Sequence, residues 1–527
     1  MDNFADHAAF DPGVNPWLIA ATVMLATFME VLDTSVANVA LPHIAGNLSA
    51  SVAERPWVLT SYLVSNASVL PLTGWFSSLF GRKRFYIGCV VVFTVSSLLC
   101  GLALSLPMLV VFRVIQGAGG GGLQPISQAI LVDSFPRSKQ GMAMAVYGMG
   151  VVVAPTIGPT LGGWITDSFT WRWIFFLNVP VGILAVIMTT VLIADPPFII
   201  RKTFKQGLKI DFIGLGLLSV GLGLMQIVLD KGERDDWFGS HFILWATIIA
   251  VAALVGMVLW ELHTEHPVIE LRLLAERNFV ISTLMMYALG LVLYGTTVLL
   301  PIMMQTLMGY TAMQSGLVLL PGGAILIVIL PAVGWLLARV EARWLVIFGL
   351  IVASIGLFQL SHLTLDVSIG TPTFDWIISR AGVAFLFVPI NVMAFYYVPK
   401  EKTNNATGLI NLARNIGGSM GISFVTTMLD RRAQFHQARL VGDLQPGSHS
   451  YQTALAHLIP LLTSRGVDAA HAMAQAQAMI YQGMQRQASM LSFVDNFWLM
   501  GMICLGVIPL MFLMRKTRPQ KTRVAVH

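Results

Sequence analysis

Charge is scarce in this sequence: Asp, Glu, Lys and Arg make up 11% of its 527 residues, where a soluble domain carries roughly 25%. With 56% hydrophobic residues and a mean hydropathy of +0.74, that shortage excludes a soluble globular enzyme. Cysteine is scarcer still. Cys89, Cys100 and Cys504 each sit inside a long apolar run, so neither a disulfide framework nor a thiolate metal site can be read from them. No GxxxxGK[ST] phosphate loop or HExxH occurs, which leaves ion gradients as the energy source and no cofactor to expect. Residues 1 to 16 hold Asp2, Asp6 and Asp11 but no lysine or arginine, unlike a signal peptide. The net charge of +6 does not imply nucleic acid, because the basic residues lie in short hydrophilic breaks rather than in one water-facing cluster.

What is present is a succession of apolar runs, each near the ~20 residues needed to cross a ~30 Å hydrocarbon core. They fall at 17–41, 57–80, 85–105, 108–132, 141–164, 173–194, 210–230, 241–261, 279–303, 315–338, 343–362, 374–398, 405–429 and 495–514. No alternating strand pattern accompanies them, so the expected fold is an all-α membrane protein with 14 transmembrane helices. With both termini placed in the cytoplasm, the inner segments collect Arg82, Lys83, Arg84, Arg137, Lys139, Arg201, Lys202, Lys205, Lys209, Arg272, Arg277, Arg339, Arg343, Lys400, Lys402, Arg515, Lys516, Arg518, Lys521 and Arg523. The short outer segments collect Arg55, Arg172, Lys231 and Arg234. This asymmetry sets the orientation.

The chain also echoes itself. LPLTGWFSSLFGRKRF (70–85) matches LPAVGWLLARVEARWL (330–345) at an offset of 260, and Arg113/Arg380, Gly141/Gly408 and Gly150/Gly417 are each 267 apart. Two homologous six-helix halves follow, with the spans near 210–230 and 241–261 inserted between them, a 6 + 2 + 6 plan. The expected organisation is a cytoplasmic tail (1–16), a first half (17–194), a two-helix insertion with its loops (195–275), a second half (276–514) and a basic cytoplasmic tail (515–527).

Five motifs in order carry a family resemblance. They are LDTSVANVALP (32–42), GWFSSLFGRKRF with Gly74, Gly81, Arg82 and Lys83, LVVFRVIQGAGGG (109–121), GVVVAPTIGPTLGG (150–163) and WRWIFFLNVPVG (171–182). The chain resembles the major facilitator superfamily from about residue 15 to 515, and within it the fourteen-span drug:proton antiporters with EmrB-type efflux pumps. It departs from the loop motif at Ser78, where the general pattern has an acidic residue. The resemblance implies the major facilitator fold, an inner (cytoplasmic) membrane location, and a role in proton transfer for Arg113. It also implies a possible extracytoplasmic (EmrA-type) adaptor and a TolC-type outer-membrane channel as partners.

A charge within a span costs ~2.5–3.5 kcal/mol on insertion scales, so Glu30, Asp33, Arg113, Arg380 and Arg414 are functional candidates by default. Glu30 and Asp33, three residues apart, share one helix face. Asp33 is the expected principal proton site and Glu30 an auxiliary site or substrate contact; the alternative is ion pairing with Arg113 or Arg414 that only holds helices together. Arg113 stays protonated and can act only by tuning a nearby carboxylate. Pro155 and Pro159 remove backbone donors, while Gly150, Gly158, Gly162 and Gly163 allow close approach, so this stretch reads as a bending, tightly packed helix or as ordinary packing. Asn38, Gln116, Gln124, Tyr147, Tyr287, Gln305, Asn391, Asn411 and Arg414 are candidate cavity residues, and 27 methionines suit lipophilic substrates of several shapes.

Residues 430–492 read as a helical hairpin projecting outward, either docking an adaptor or capping the transporter. In its second arm Ala469, Met473, Ala476, Ile480, Met484, Ala488 and Leu491 form a helical stripe. The expected function is proton-coupled efflux of lipophilic drugs or toxic amphiphiles by alternating access. The alternatives are export of one endogenous metabolite, lipid or fatty acid, and, in a different class, a membrane-embedded enzyme or sensor, for which no constellation is found.

Overall fold

The computed structural model describes residues 13–515 other than 52–53, 55–56, 196–210, 265–266, 268, 400–401 and 446. Most of the first tail, the second tail beyond Arg515, and the loop cations Arg55, Arg201, Lys202, Lys205, Lys209 and Lys400 therefore lie outside the described residues.

All regular structure among the described residues is helical. In chain order it comprises α1 Pro16–Asn47, α2 Trp57–Val69, α3 Thr73–Phe80, α4 Arg82–Gly101, α5 Leu106–Gly120, α6 Leu123–Ser134, α7 Arg137–Gly148, α8 Ala154–Ser168, α9 Trp173–Phe176 and α10 Asn178–Leu192. Then come α11 Phe212–Lys231, α12 His241–His263, α13 Arg277–Leu307, α14 Ala312–Leu336, α15 Ala342–Leu360, α16 Gly370–Phe395, α17 Thr403–Leu440, α18 His449–Ser464, α19 Ala469–Gly506 and α20 Ile508–Phe512.

Twelve described helical segments are long and apolar enough to cross a membrane. The two further expected spans are present as helix but fall outside that count for physical reasons. The run at 57–80 is divided by a 3-10 turn at Leu70–Leu72, and α17 carries Asn404, Asn405, Asn411, Arg414 and Asn415 in its first turns. Other runs expected as single helices are also interrupted. Gly121 and Gly122 separate α5 from α6, and a π-helical stretch at Met149–Val153 joins α7 to α8, the kind of irregularity that marks functional bends.

The repeat is visible as reciprocal packing. A Cβ on Gly334 would lie 2.9 Å from Gly141 O, and Gly74 meets Asn405 while Gly408 faces Leu70 O at 3.5 Å. Each half thus presses the end of one repeat motif onto the other half. Likewise Gly150 packs on Met24 O of α1, and Gly417 on Tyr287 O of α13, so equivalent glycines pack on the first helix of their own halves. The inserted α11 leans on α2, where Gly223 faces Val64, and also reaches α17, where Ser419 Oγ donates to Gln226 Oε1 at 2.8 Å.

The segment 430–492 is a helical hairpin whose outer limbs continue the neighbouring helices. α17 and α19 have 38 residues each, about 57 Å at 1.5 Å per residue, far more than a bilayer needs. α18 packs back on α19 through Leu455, Leu462, Ala472 and Ala476. Of the expected stripe, Ala476, Met484 and Ala488 are buried but Met473 is exposed.

Candidate functional site

Glu30 and Asp33 are both buried on α1, which α8 clamps from one side. A Cβ on Gly158 would run into the Ser35 side chain, one on Gly162 would lie 3.1 Å from Val36 O, and Ser35 Oγ donates to Pro155 O at 3.2 Å. Gly163 is buried in the same helix and Pro159 lies inside it. The glycine-proline stretch therefore fixes how closely α8 approaches the helix bearing both carboxylates.

The two acids have different partners. Asp33 Oδ2 is 2.5 Å from Arg113 Nη1, with side-chain exposures of 1% and 0%. Asp33 Oδ1 accepts from Gln116 Nε2 at 3.0 Å and Asn178 Nδ2 at 2.7 Å. Arg113 is held in turn by Val58 O at 3.0 Å and Gln116 Oε1 at 2.8 Å, and its guanidinium lies 4.3 Å over the Tyr62 ring. This buried pair belongs wholly to the first half. Charge-assisted bonds of this kind are strong, and removing one partner typically costs about 3–5 kcal/mol.

Glu30 has only neutral donors in direct contact: Tyr62 Oη at 3.0 Å and Asn66 Nδ2 at 3.2 Å on Oε1, and Gln124 Nε2 at 2.5 Å on Oε2. Its cation is one residue away, since Arg414 Nη2 donates to Gln124 Oε1. Close by, Tyr147 Oη donates to Gln124 O at 3.3 Å, its ring stacks on Phe387, and Asn411 Nδ2 donates to Gln128 Oε1 at 2.7 Å while Gln128 Nε2 donates to Asn391 Oδ1. A polar layer from Glu30 to Asn411 therefore bridges the two halves through α6 and α17.

Gln116, Gln124, Tyr147, Asn391, Asn411 and Arg414 are thus drawn into one network with the two acids or beside it. Asn38 and Gln305 are exposed and outside it, and Tyr287 donates to Met420 Sδ at 2.9 Å instead. Four participants were not on the sequence list: Tyr62, Asn66, Gln128 and Asn178. Tyr62 with Asn66, and Gln124 with Gln128, are i, i+4 pairs that share a helix face. Asn178 stands inside the quoted WRWIFFLNVPVG motif.

In the loop motif, Gly81 has φ +81°, a left-handed conformation that only glycine adopts readily, and it ends α3 and starts α4. Arg82 then enters the interior and pairs with Asp133 at 2.5 Å. Ser78, lacking a carboxylate, donates to Trp75 O at 2.7 Å. Lys83 is tied to Asp195 Oδ1 through its backbone N–H at 2.7 Å and to Thr190 O through Nζ, also at 2.7 Å.

A membrane-embedded bundle of repeats with buried charges at its centre is a transporter architecture, and sequence comparison decides the family. Residues 23–422 match the model of the Major Facilitator Superfamily. The chain belongs to that superfamily. It is a multi-pass membrane protein and a transporter rather than an enzyme. It is 35% identical over 497 residues to the multidrug export protein EmrB of Escherichia coli (strain K12), covering 94% of each chain. It is 36% identical over 441 residues to the fatty acid resistance protein FarB of Neisseria gonorrhoeae, covering 84% of this chain and 86% of that one. The fold matches the proton:xylose symporter XylE with a TM-score of 0.62 at 14% identity, covering 96% of this chain and 97% of that one. The major facilitator plan of two six-helix halves with two extra helices accounts for the fourteen helical spans.

Proposed function

We propose that this protein is a proton-coupled efflux antiporter that exports lipophilic drugs or toxic amphiphiles by alternating access between its halves. The observation that carries the reading is the Asp33–Arg113 pair: a carboxylate on the first helix, sealed from water and held by a cation. Its protonation is tied to whether Arg113 remains in contact, so a change of conformation that parts the two changes the proton's affinity. The names of its relatives, multidrug export proteins at 35% identity, supply the cargo class.

In this scheme Asp33 is the principal proton site, Arg113 tunes it, and Glu30 is the auxiliary site in the layer between the halves. The stretch containing Gly150, Pro155, Gly158, Pro159, Gly162 and Gly163 is the bending element against α1. Gly74, Gly81, Arg82 and Lys83 form the cytoplasmic gate, with Asp133 supplying the acid. The protein sits in the cytoplasmic membrane with both termini inside and needs no cofactor beyond the proton gradient. The hairpin of α18 and the first part of α19 faces outward as the docking surface for an adaptor.

The test is proton movement in proteoliposomes loaded with a pH-sensitive dye, on addition of a panel of lipophilic cations and acids. Wild type should move protons when a substrate is added, and Asp33→Asn should not. A folded Asp33→Asn protein that still exchanges protons for substrate refutes the assignment.

A further inference from the structure

The duplication kept an arginine in each half but not its acid. Arg113 on α5 meets Asp33 on the first helix of its half. Arg380 on α16, its equivalent at an offset of 267, meets only the hydroxyls of Thr296 at 3.2 Å and Thr297 at 2.7 Å on α13, the first helix of the second half. Arg380 is fully buried, yet among the described residues no carboxylate pairs with it, and its Nε and Nη1 have no hydrogen-bond partner. The Trp376 ring lies 3.7 Å from the guanidinium carbon, and the indole Nε1 of Trp376, also fully buried, is likewise without a partner. Gly322 of α14 closes the spot: a Cβ there would come within 2.6 Å of Trp376 Nε1 and 3.1 Å of Arg380 Cγ.

Three buried donor nitrogens thus lie close together, among the described residues, with no acceptor and no counter-charge. Buried donors are ordinarily satisfied, and a buried guanidinium is ordinarily paired, so this is an unusual concentration of unmet demand. A carboxylate meets it directly. A carboxylate oxygen can accept a charge-assisted bond from Nη1 or Nε of the guanidinium, and an indole N–H supplies a further donor. We infer that Arg380 and Trp376 form an anion-binding site in the second half that takes the carboxylate headgroup of an amphiphilic substrate. The site occupies in the second half the place that the Asp33–Arg113 pair occupies in the first, so a negatively charged cargo and a proton are read by equivalent positions. Closed off in this conformation, Arg380 receives the headgroup when the helices around it part.

The inference rests on the export reading, and the test separates the two. Full-length protein in lipid nanodiscs is titrated with radiolabelled laurate, methyl laurate and dodecylamine, which share a chain length and differ in head charge. Wild type should bind laurate more tightly than the ester or the amine. Arg380→Gln should weaken laurate by roughly tenfold or more and leave the ester unchanged. Arg380→Lys should recover part of the loss, and Trp376→Phe, which removes only the indole donor, should give a smaller one. These two variants keep the test informative if Arg380→Gln does not fold. Acetate that displaces laurate means that the carboxylate alone is recognised; acetate without effect means that the chain is read as well, and both uphold the site. Laurate binding that is unchanged in Arg380→Gln, or a preference for the amine, overturns this site while leaving export intact. Absence of binding for all three compounds overturns both readings.

Discussion

Arg414 of α17 donates to the side-chain oxygen of Gln124 on α6, so one buried cation of the second half is hydrogen-bonded to the first half. The other end of the same amide donates to Glu30. Gln124→Leu removes both bonds at once and leaves a guanidinium N–H and a carboxylate oxygen unmet in the interior, at about 1–3 kcal/mol each. We expect a lower melting temperature and a lower transport rate, with Asn391 and Asn411 unable to compensate because they are engaged with Gln128. Wild-type melting and transport in Gln124→Leu would show that this amide carries neither load.

Arg82 depends on Asp133, since the residue at 78 cannot supply a charge. Asp133→Asn should therefore destabilise by about 3–5 kcal/mol, the usual consequence of stranding one member of a buried pair. Replacing both, as Arg82→Met with Asp133→Leu, should recover most of that loss, because the stranded charge disappears with its partner. Thermal melts of Arg82→Met, Asp133→Leu and the double variant form a cycle whose coupling measures the pair. A coupling near zero would mean that Arg82 is anchored by Ala129 O alone.

Most of the bundle was legible because lipid enforces a crude rule: spans must be long, apolar and helical. Hydropathy therefore located fourteen helices and the insertion. Interruptions were less visible, since the 3-10 turn at Leu70–Leu72 and the π stretch at Met149–Val153 come from packing rather than composition. The charged residues of the site were legible for the same reason as the spans, being costly and rare. Their pairing was not. Sequence left Asp33 and Glu30 equally free to meet Arg113 or Arg414, and only the three-dimensional arrangement gives the first acid a direct cation and the second an intervening glutamine. Asn38 and Gln305 show the converse limit, because a polar residue in a span does not reveal which way it faces.

Gly417 lies where α17 crosses α13, and a Cβ there would run into the Tyr287 carbonyl; Gly421 meets Leu291 O in the same way. The obstacle is backbone, which cannot rotate away. Gly417→Ala should force the helices apart and destabilise by about 1–3 kcal/mol, as overpacking does. Gly483→Ala on α19 has nothing within 4 Å of the added atom and serves as the control. Yield of folded protein and melting temperature should fall for the first and hold for the second; equal behaviour would mean that the crossing is looser than the backbone contact implies.

The insertion meets α17 at a pair of carboxyl groups beyond the apolar runs. Burial and the hydrogen-bonded Glu233 both push Asp430 above the ordinary aspartate range. Burial also pushes Glu233 up, but hydrogen bonds with Thr427, with Trp237 Nε1 at 2.9 Å and with Asp430 outweigh it, and nearby Arg431 acts in the same direction, so Glu233 lies below the ordinary glutamate range. The signs then follow. A raised acid binds its proton more tightly when folded, so the Asp430 contribution is fully present below the unfolded value and is lost as pH rises through the folded one. Glu233 contributes in the opposite sense, with stability present above its unfolded value and lost as pH falls through its folded one. Asp430→Asn keeps a donor for Glu233 and removes only the first contribution. Melting temperatures taken from about pH 4 to pH 7 should therefore decline more in wild type than in Asp430→Asn, whereas Glu233→Gln should lose the acid-side decline. Parallel pH profiles for wild type and Asp430→Asn would mean that the two carboxyl groups do not share a proton.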